Sequence, residues 1–209
     1  MLHGPLRGLR RCTASPLDSF IPEPDVRERF EKTIQAPAAL VMEAACNVDL
    51  QSLPLVRMIL RLRELLLRAS APAPRVPQGL LAETRNLGWG VLAETPGRLI
   101  VCGAVCQPWL ADVVFTPLPP GRFRSYAGAE KVKIAWTLEA VPIGTETTRF
   151  GHETRAVATD AEARRRFHRY WRWARFGIVA IRWLLLPAIR REAERRWRAG
   201  ETACIPPPE

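Results

Sequence analysis

Residues 160–198 constrain this chain more than any other stretch. They read DAEARRRFHRYWRWARFGIVAIRWLLLPAIRREAERRWR, with Asp160 or Thr159 placed to cap a helix that follows. On a helical wheel Phe167, Trp171, Ala174, Ile178, Ile181, Leu185 and Ile189 fall in one stripe, while Arg165, Arg169, Arg172 and Arg190 lie well away from it. A long amphipathic helix is predicted, with its apolar ridge buried in the protein. Each large apolar side chain so buried is worth about 1.5–3 kcal/mol, which in sum docks the helix firmly. Pro187 removes a backbone bond within it, and a kink is expected near Leu184–Pro187.

The same stretch bears on partners. The chain carries a net charge of +10, and twelve arginines stand against four carboxylates between Asp160 and Arg198. Outside that segment the charges nearly cancel. A membrane span is disfavoured on length: Arg175 and Arg190 bracket the apolar run and Arg182 interrupts it, whereas a span needs about twenty apolar residues. Peripheral contact with an anionic membrane is a second reading, because Phe176 and Trp183 point off the ridge among arginines. Coverage of these two by other elements or by a partner copy is the favoured account. Nucleic-acid binding is disfavoured, since Phe167 and Trp171 belong to the core ridge and the arginines solvate the opposite face.

Five cysteines, Cys12, Cys46, Cys102, Cys106 and Cys204, form no paired spacing. Cys102 and Cys106 sit on a predicted strand, where four residues span roughly 13 Å and no disulfide closes. Reduced thiols and a cytoplasmic location are expected. The first residues lack the apolar core of an export signal. Residues 1–24 are expected to form a mobile tail, 25–198 one domain, and 199–209 a loose end.

Within that domain, DVRERFEKTIQ (25–35) suits either a helix or a strand, because Val26, Phe30 and Ile34 share a face in both. Pro37 then opens a helix over PAALVMEAAC. A second helix is expected from Pro54 to Ser70, with Leu55, Met58, Ile59, Leu62, Leu65 and Leu66 forming an apolar stripe and Arg57, Arg61 and Arg63 off it. SAPAPRVPQG (70–79) reads as a proline-rich linker. The period then changes. LGWGVLAE (87–94), RLIVCGAV (98–105), KVKIAWTLEAV (131–141) and TETTRFGHETRAVAT (145–159) read as strands, joined by turn signals at Thr95-Pro96-Gly97 and Ile143-Gly144-Thr145. In the third, Val132, Ile134, Trp136, Leu138 and Ala140 face inward and Lys131, Lys133, Thr137 and Glu139 outward, the pattern of a half-buried strand. Strands grouped between helices define an α+β fold.

The segment AGAEKVKIAWTLEAVPIGTETTRFGHETRAVATDAEARRRFHRYWRWAR, with its continuation to IRREAERRW, resembles bacterial members of the SRPBCC superfamily. These are START-like helix-grip proteins, related in fold to the birch-pollen allergen and to polyketide cyclases. RFEKTIQAPAALVMEAA is similar to their opening strand and first helix, and the likeness covers about residues 25–198. It implies that 25–35 is a strand. It also implies a strongly bent antiparallel sheet wrapped around the long C-terminal helix, two short helices after the first strand, and a cavity beneath that takes a lipid, polyketide or aromatic compound. Phenylalanine and histidine in the last strand depart from the family's usual residues there.

No catalytic or metal-binding motif is present, and no cofactor is expected. His3 falls in the tail and His168 faces solvent by its place on the helix. His152 shares an inward face with Phe150 and Thr154, as a core histidine satisfied by a carbonyl or as a general base. Trp89, Trp109, Tyr126, Ile134, Trp136, Leu138, Phe150, His152, Trp171 and Ile178 are the candidate ligand-contacting residues. Binding of a small hydrophobic ligand is the leading function. A cyclase- or hydratase-like enzyme using His152 with help from Tyr126, and a peripheral membrane lipid-handling protein, are the alternatives.

Overall fold

A computed structural model describes residues 14–49, 53–67 and 79–203 of the chain. The linker expected at 70–79 lies outside these apart from Gly79, as do His3, Cys12 and Cys204. The elements are β1 (Val26–Ile34), α1 (Ala38–Asn47), α2 (Pro54–Leu67), α3 (Leu80–Asn86), β2 (Gly90–Thr95), β3 (Leu99–Cys106), α4 (Pro120–Ser125), β4 (Val132–Pro142), β5 (Thr148–Ala158) and α5 (Ala161–Arg198). The fold is α+β and of the helix-grip type: one antiparallel sheet in the order β1-β5-β4-β3-β2, with α5 against one face.

Pairing explains why 25–35 extends despite its helical spacing. Val26 through Ile34 run in unbroken register with Ala156 back to Thr148, so every backbone group facing β5 finds a partner. Tertiary pairing overrides an ambiguous local pattern. In β2 a bulge at Leu92 shifts the register between Val91 and Ala93, which bends that strand.

One face of the sheet holds the main core. Ile34, Ile100, Cys102, Trp136, Leu138, Ala140 and Phe150 pack there against α1 and the second half of α5, through Leu185, Leu186 and Ile189. Val26, Val132 and Ala156 meet Phe167, Tyr170 and Ala174 of its first half. α5 starts where Asp160 accepts a hydrogen bond from the Ala163 amide at 2.7 Å, and it stays helical through Pro187. The ridge read from the wheel is the one that docks.

The opposite face differs from the sequence expectation. Residues expected to belong to a mobile tail pack there instead: Leu17, Phe20 and Ile21 are buried with Val101, Val105, Ala135 and Phe123 of α4. β4 is therefore covered on both sides, and its supposedly wet residues Lys133 and Thr137 are buried. Lys133 donates to the Arg124 carbonyl at 2.9 Å. On β5, Arg155 is only 2% exposed. It reaches Glu153 and Asp18 at 2.7 Å each and the Ile21 carbonyl at 2.8 Å. Glu153 also accepts from Ser15 and pairs with Arg27 at 2.9 Å. Burial pushes the Glu153 carboxyl up, but hydrogen bonds from Arg155 and Ser15 outweigh it and hold the group below its usual range.

The second helix forms where its apolar stripe was read, and only one edge of that stripe is covered. Val56 is buried and Ile59 half-buried, whereas Leu55, Met58, Leu62 and Leu65 are exposed. α2 leans on α5 by a narrow edge at Gly177, where a Cβ would come within 3.0 Å of Ile59 Cγ2. That close approach buries one side of the stripe and leaves the other open.

Because Arg155 meets Glu153, Asp18 and the Ile21 carbonyl while Arg27 and Arg29 also pair with Glu153, Arg155→Ala is expected to destabilise the fold by about 1–3 kcal/mol. Urea denaturation measures it; a loss below about 1 kcal/mol would mean that the cluster does not hold the N-terminal segment to the sheet.

Candidate functional site

Strand register brings the polar and aromatic side chains under α5 into rows. Phe30, His152 and Leu138 lie side by side across β1, β5 and β4; Glu28, Thr154, Trp136 and Cys102 form the next row. All belong to the α5-facing side of the sheet, since alternate residues on a strand share a face.

α5 places one charge among them. Arg182 lies four residues after Ile178 and three before Leu185, on the ridge itself, and is 7% exposed. Its Nη2 donates to Thr154 Oγ1 at 2.7 Å, and its guanidinium sits 5.4 Å from the centroid of the Phe30 ring. Nη1 is buried without a hydrogen-bond partner. Burial lowers the pKa of Arg182 to about 10, partly offset by the charge of Glu28, so it remains a cation at neutral pH.

The hydrogen bonds run one way from this cation. Thr154 Oγ1, accepting from Arg182, directs its own proton to His152 Nε2 at 3.4 Å. His152 Nδ1 lies 2.7 Å from the Thr137 carbonyl oxygen, which can only accept, so Nδ1 carries the proton and Nε2 the lone pair. Burial, reinforced by the Arg182 charge, lowers the His152 pKa to about 3, against an opposing pull from the Thr137 carbonyl. His152 is thus a neutral, carbonyl-bound imidazole, and a weak base.

The candidate ligand contacts divide as follows. Trp89, Trp136, Leu138 and Phe150 join the core cluster beside α1, and Trp109, Ile134, Trp171 and Ile178 the cluster along the first half of α5. Trp89 stacks on Phe115 at 4.8 Å and meets the edge of Trp136 at 6.1 Å. Phe150 and Leu138 are fully enclosed and act as core. Tyr126 does not join them: it packs with Phe123 and Val101 on the far face, because α4 folds over that side, and it cannot assist His152. Arg182, Thr154, Glu28 and Phe30 were missed as site residues. A usable signal existed for Arg182, a charge in line with Ile178, Leu185 and Ile189.

The expected hollow beneath α5 is not an open chamber. Two hollows among the described residues lie elsewhere. One of about 680 Å³ runs along the first turns of α5 between Ala161 and Arg172, and one of about 290 Å³ lies between α1 and the end of α5. Phe30, Ile134, Trp109, Trp171 and Ile178 pack at the edges of the core clusters and are only half-buried, which marks a partly exposed seam alongside α5. Cys102 is buried and Cys46 half-buried; both are free thiols, with burial pushing their pKa values up to about 12 and about 11. Such thiols are inert small hydrophobes. His168 is exposed, and no cluster of metal-ligating side chains occurs among the described residues.

No known family pattern and no curated protein matches the chain. Among solved structures, the Zhui aromatase/cyclase from Streptomyces sp. R1128 is similar at 16% identity, covering 85% of this chain and 98% of its own, with a TM-score of 0.30. TTHA0849 from Thermus thermophilus is similar at 13% identity, covering 85% and 100%, with a TM-score of 0.27. These likenesses are too distant to transfer a chemistry.

The His152 geometry has a measurable consequence. Its folded pKa of about 3 lies below the ordinary 6.5, so on acidification the unfolded chain binds a proton before the native one does. This contribution to stability is complete above pH 6.5 and is lost as pH falls toward 3, at up to about 1.4 kcal/mol per pH unit. Denaturant titrations between pH 6.5 and the carboxylate range should show this slope in the wild type and a flat line in His152→Gln. Equal slopes would mean that His152 titrates as an ordinary histidine.

Proposed function

We propose that this protein binds a small hydrophobic ligand in the seam between the sheet and α5. The observation that carries the reading is the half-burial of Phe30, Ile134, Trp109, Trp171 and Ile178 at the edges of the core clusters. Apolar side chains left partly wet at the rim of a core gain free energy when an apolar molecule covers them. The ligand would enter by parting α5 from the aromatic side chains.

Binding is favoured over proton-transfer catalysis. A general base works best with a pKa near the operating pH, and His152 is far below it with its Nδ1 committed to a carbonyl. Tyr126, the other group of the cyclase-like alternative, stands on the opposite side of the sheet.

A neutral solvatochromic dye such as Nile red tests the reading. Saturable binding is expected, and Ile178→Trp, which fills the seam, should weaken it at least about tenfold while leaving the far-ultraviolet circular dichroism intact. Non-saturable binding, or dye affinity indifferent to Ile178→Trp, would count against the seam.

A specific observation also favours peripheral contact with an anionic membrane. No helix among the described residues is long and apolar enough to cross a bilayer. Yet Leu55, Met58, Leu62 and Leu65 of α2 and Phe176 and Trp183 of α5 are all exposed, Trp183 at 71%. Arg57, Arg61, Arg172 and Arg175 are exposed on the same two helices. Apolar side chains flanked by arginines suit the headgroup boundary of anionic lipid. Flotation with phosphatidylserine vesicles is expected to carry the protein up at low salt, and less so for a Phe176→Ser/Trp183→Ser double variant. Protein that stays at the bottom of the gradient would end this second reading.

A further inference from the structure

Arg182 and Arg155 are both buried arginines, and their surroundings are opposite. Arg155 is met by two carboxylates and a carbonyl. Arg182 is met by one hydroxyl, an aromatic ring, and no carboxylate within ion-pair distance among the described residues. Burying a cation without a matched acceptor is costly, and replacing such a group with an apolar residue is often neutral or stabilising. Packing alone would be served as well by leucine, given the neighbours Ile178, Leu185 and Leu186 on the ridge.

The groups around it leave Nη1 without an acceptor. Thr154 Oγ1 already accepts from Nη2 and passes its proton to His152; His152 Nε2 takes that proton, and Nδ1 is a donor. The chain from Arg182 to the Thr137 carbonyl engages Nη2 and does not reach Nη1, which is left over. Glu28, half-buried on β1 opposite Thr154, faces the same region and acts on Arg182 through its charge only. What remains is a buried guanidinium donor beside Phe30, four residues after Ile178 along the proposed seam.

We propose that Arg182, positioned by Thr154, is the anchor for the carboxylate of an amphiphilic ligand whose apolar body lies in the seam. A planar guanidinium presents paired N–H donors that match the two oxygens of a carboxylate, and hydrogen bonds between charged groups are stronger than neutral ones. Phe30, Ile134, Trp171 and Ile178 supply the apolar wall for the rest of the molecule. Glu28 opposes the incoming anion, so the site discriminates by the difference between one fixed cation and one nearby carboxylate. The inference rests on the ligand-binding reading above and narrows its substrate class from any hydrophobic molecule to apolar carboxylic acids.

The test uses cis-parinaric acid, a polyene fatty acid that fluoresces on leaving water, and its methyl ester. The full-length wild-type protein is expected to bind the acid about ten- to a hundredfold more tightly than the ester, the worth of a charge-assisted hydrogen bond. In Arg182→Met the acid should fall to the ester's affinity while the ester's affinity stays unchanged. Glu28→Gln, which removes the nearby negative charge at a half-buried position, should tighten the acid and leave the ester alone. Equal binding of acid and ester by the wild type, with both saturable, would overturn the carboxylate anchor and leave the hydrophobic-ligand reading standing. Saturable binding of neither would overturn both. If Arg182→Met fails to fold, the Glu28→Gln response decides: no shift in the acid-to-ester ratio overturns the anchor.

Discussion

The docking of one ridge of α5 onto the sheet is the constraint from which the rest of the structure follows. Phe167, Ala174, Leu185, Leu186 and Ile189 go into the core along a helix that runs from Ala161 to Arg198. Burial of the four large side chains among them contributes on the order of 1.5–3 kcal/mol each. Because the ridge occupies only one side of the helix, most of the arginines other than Arg182 are carried outward to water, where their ion pairs with Glu162, Glu192 and Glu194 are surface pairs of small energy. The basicity of the chain is thus chiefly a consequence of solvating the back of a helix whose front is core.

The sheet deals with buried charge in two ways, one on each face. On the face away from α5, Arg155 and Glu153 sit in a closed set of ion pairs and hydrogen bonds that ties Ser15, Asp18 and Ile21 to β5. Such a network is conformationally specific, because each member satisfies another. On the face beneath α5, Arg182 has only Thr154, and His152 is kept neutral beside it. A structure that satisfies one buried arginine fully and leaves another with a free donor has its strain concentrated at the second. The half-buried seam lies at the same place.

Much of this was legible in the chain. The α5 ridge, the four strands from 87 to 159 and the inward row of β4 all repeat at a helical or strand period, and each appears close to where its period placed it. Trp136 on β4 and Trp171 on α5 joined the core clusters for the same reason. The misreadings share a cause. Tyr126, Leu17 and the stripe of α2 lie in segments whose side of the sheet, or contact edge, is chosen by a loop and by distant partners. α3 and α4, of seven and six residues, are too short to leave a period at all.

Period and alternation are local properties, and so the sequence by itself determined that a long amphipathic helix would close an α+β domain and which of its residues would face inward. It also determined that no segment of α5 could cross a bilayer. Only the tertiary structure decided that β1 extends beside β5, since Val26–Ile34 fits two periods and pairing chose between them. The tertiary structure likewise turned the polar face of β5 into a buried ion cluster by bringing Asp18 and Ile21 across to Arg155. It also left Arg182 with a single hydroxyl partner. Whether a buried charge is paired depends on what arrives opposite it from more than a hundred residues away, or from Thr154 across the seam, and no period records that.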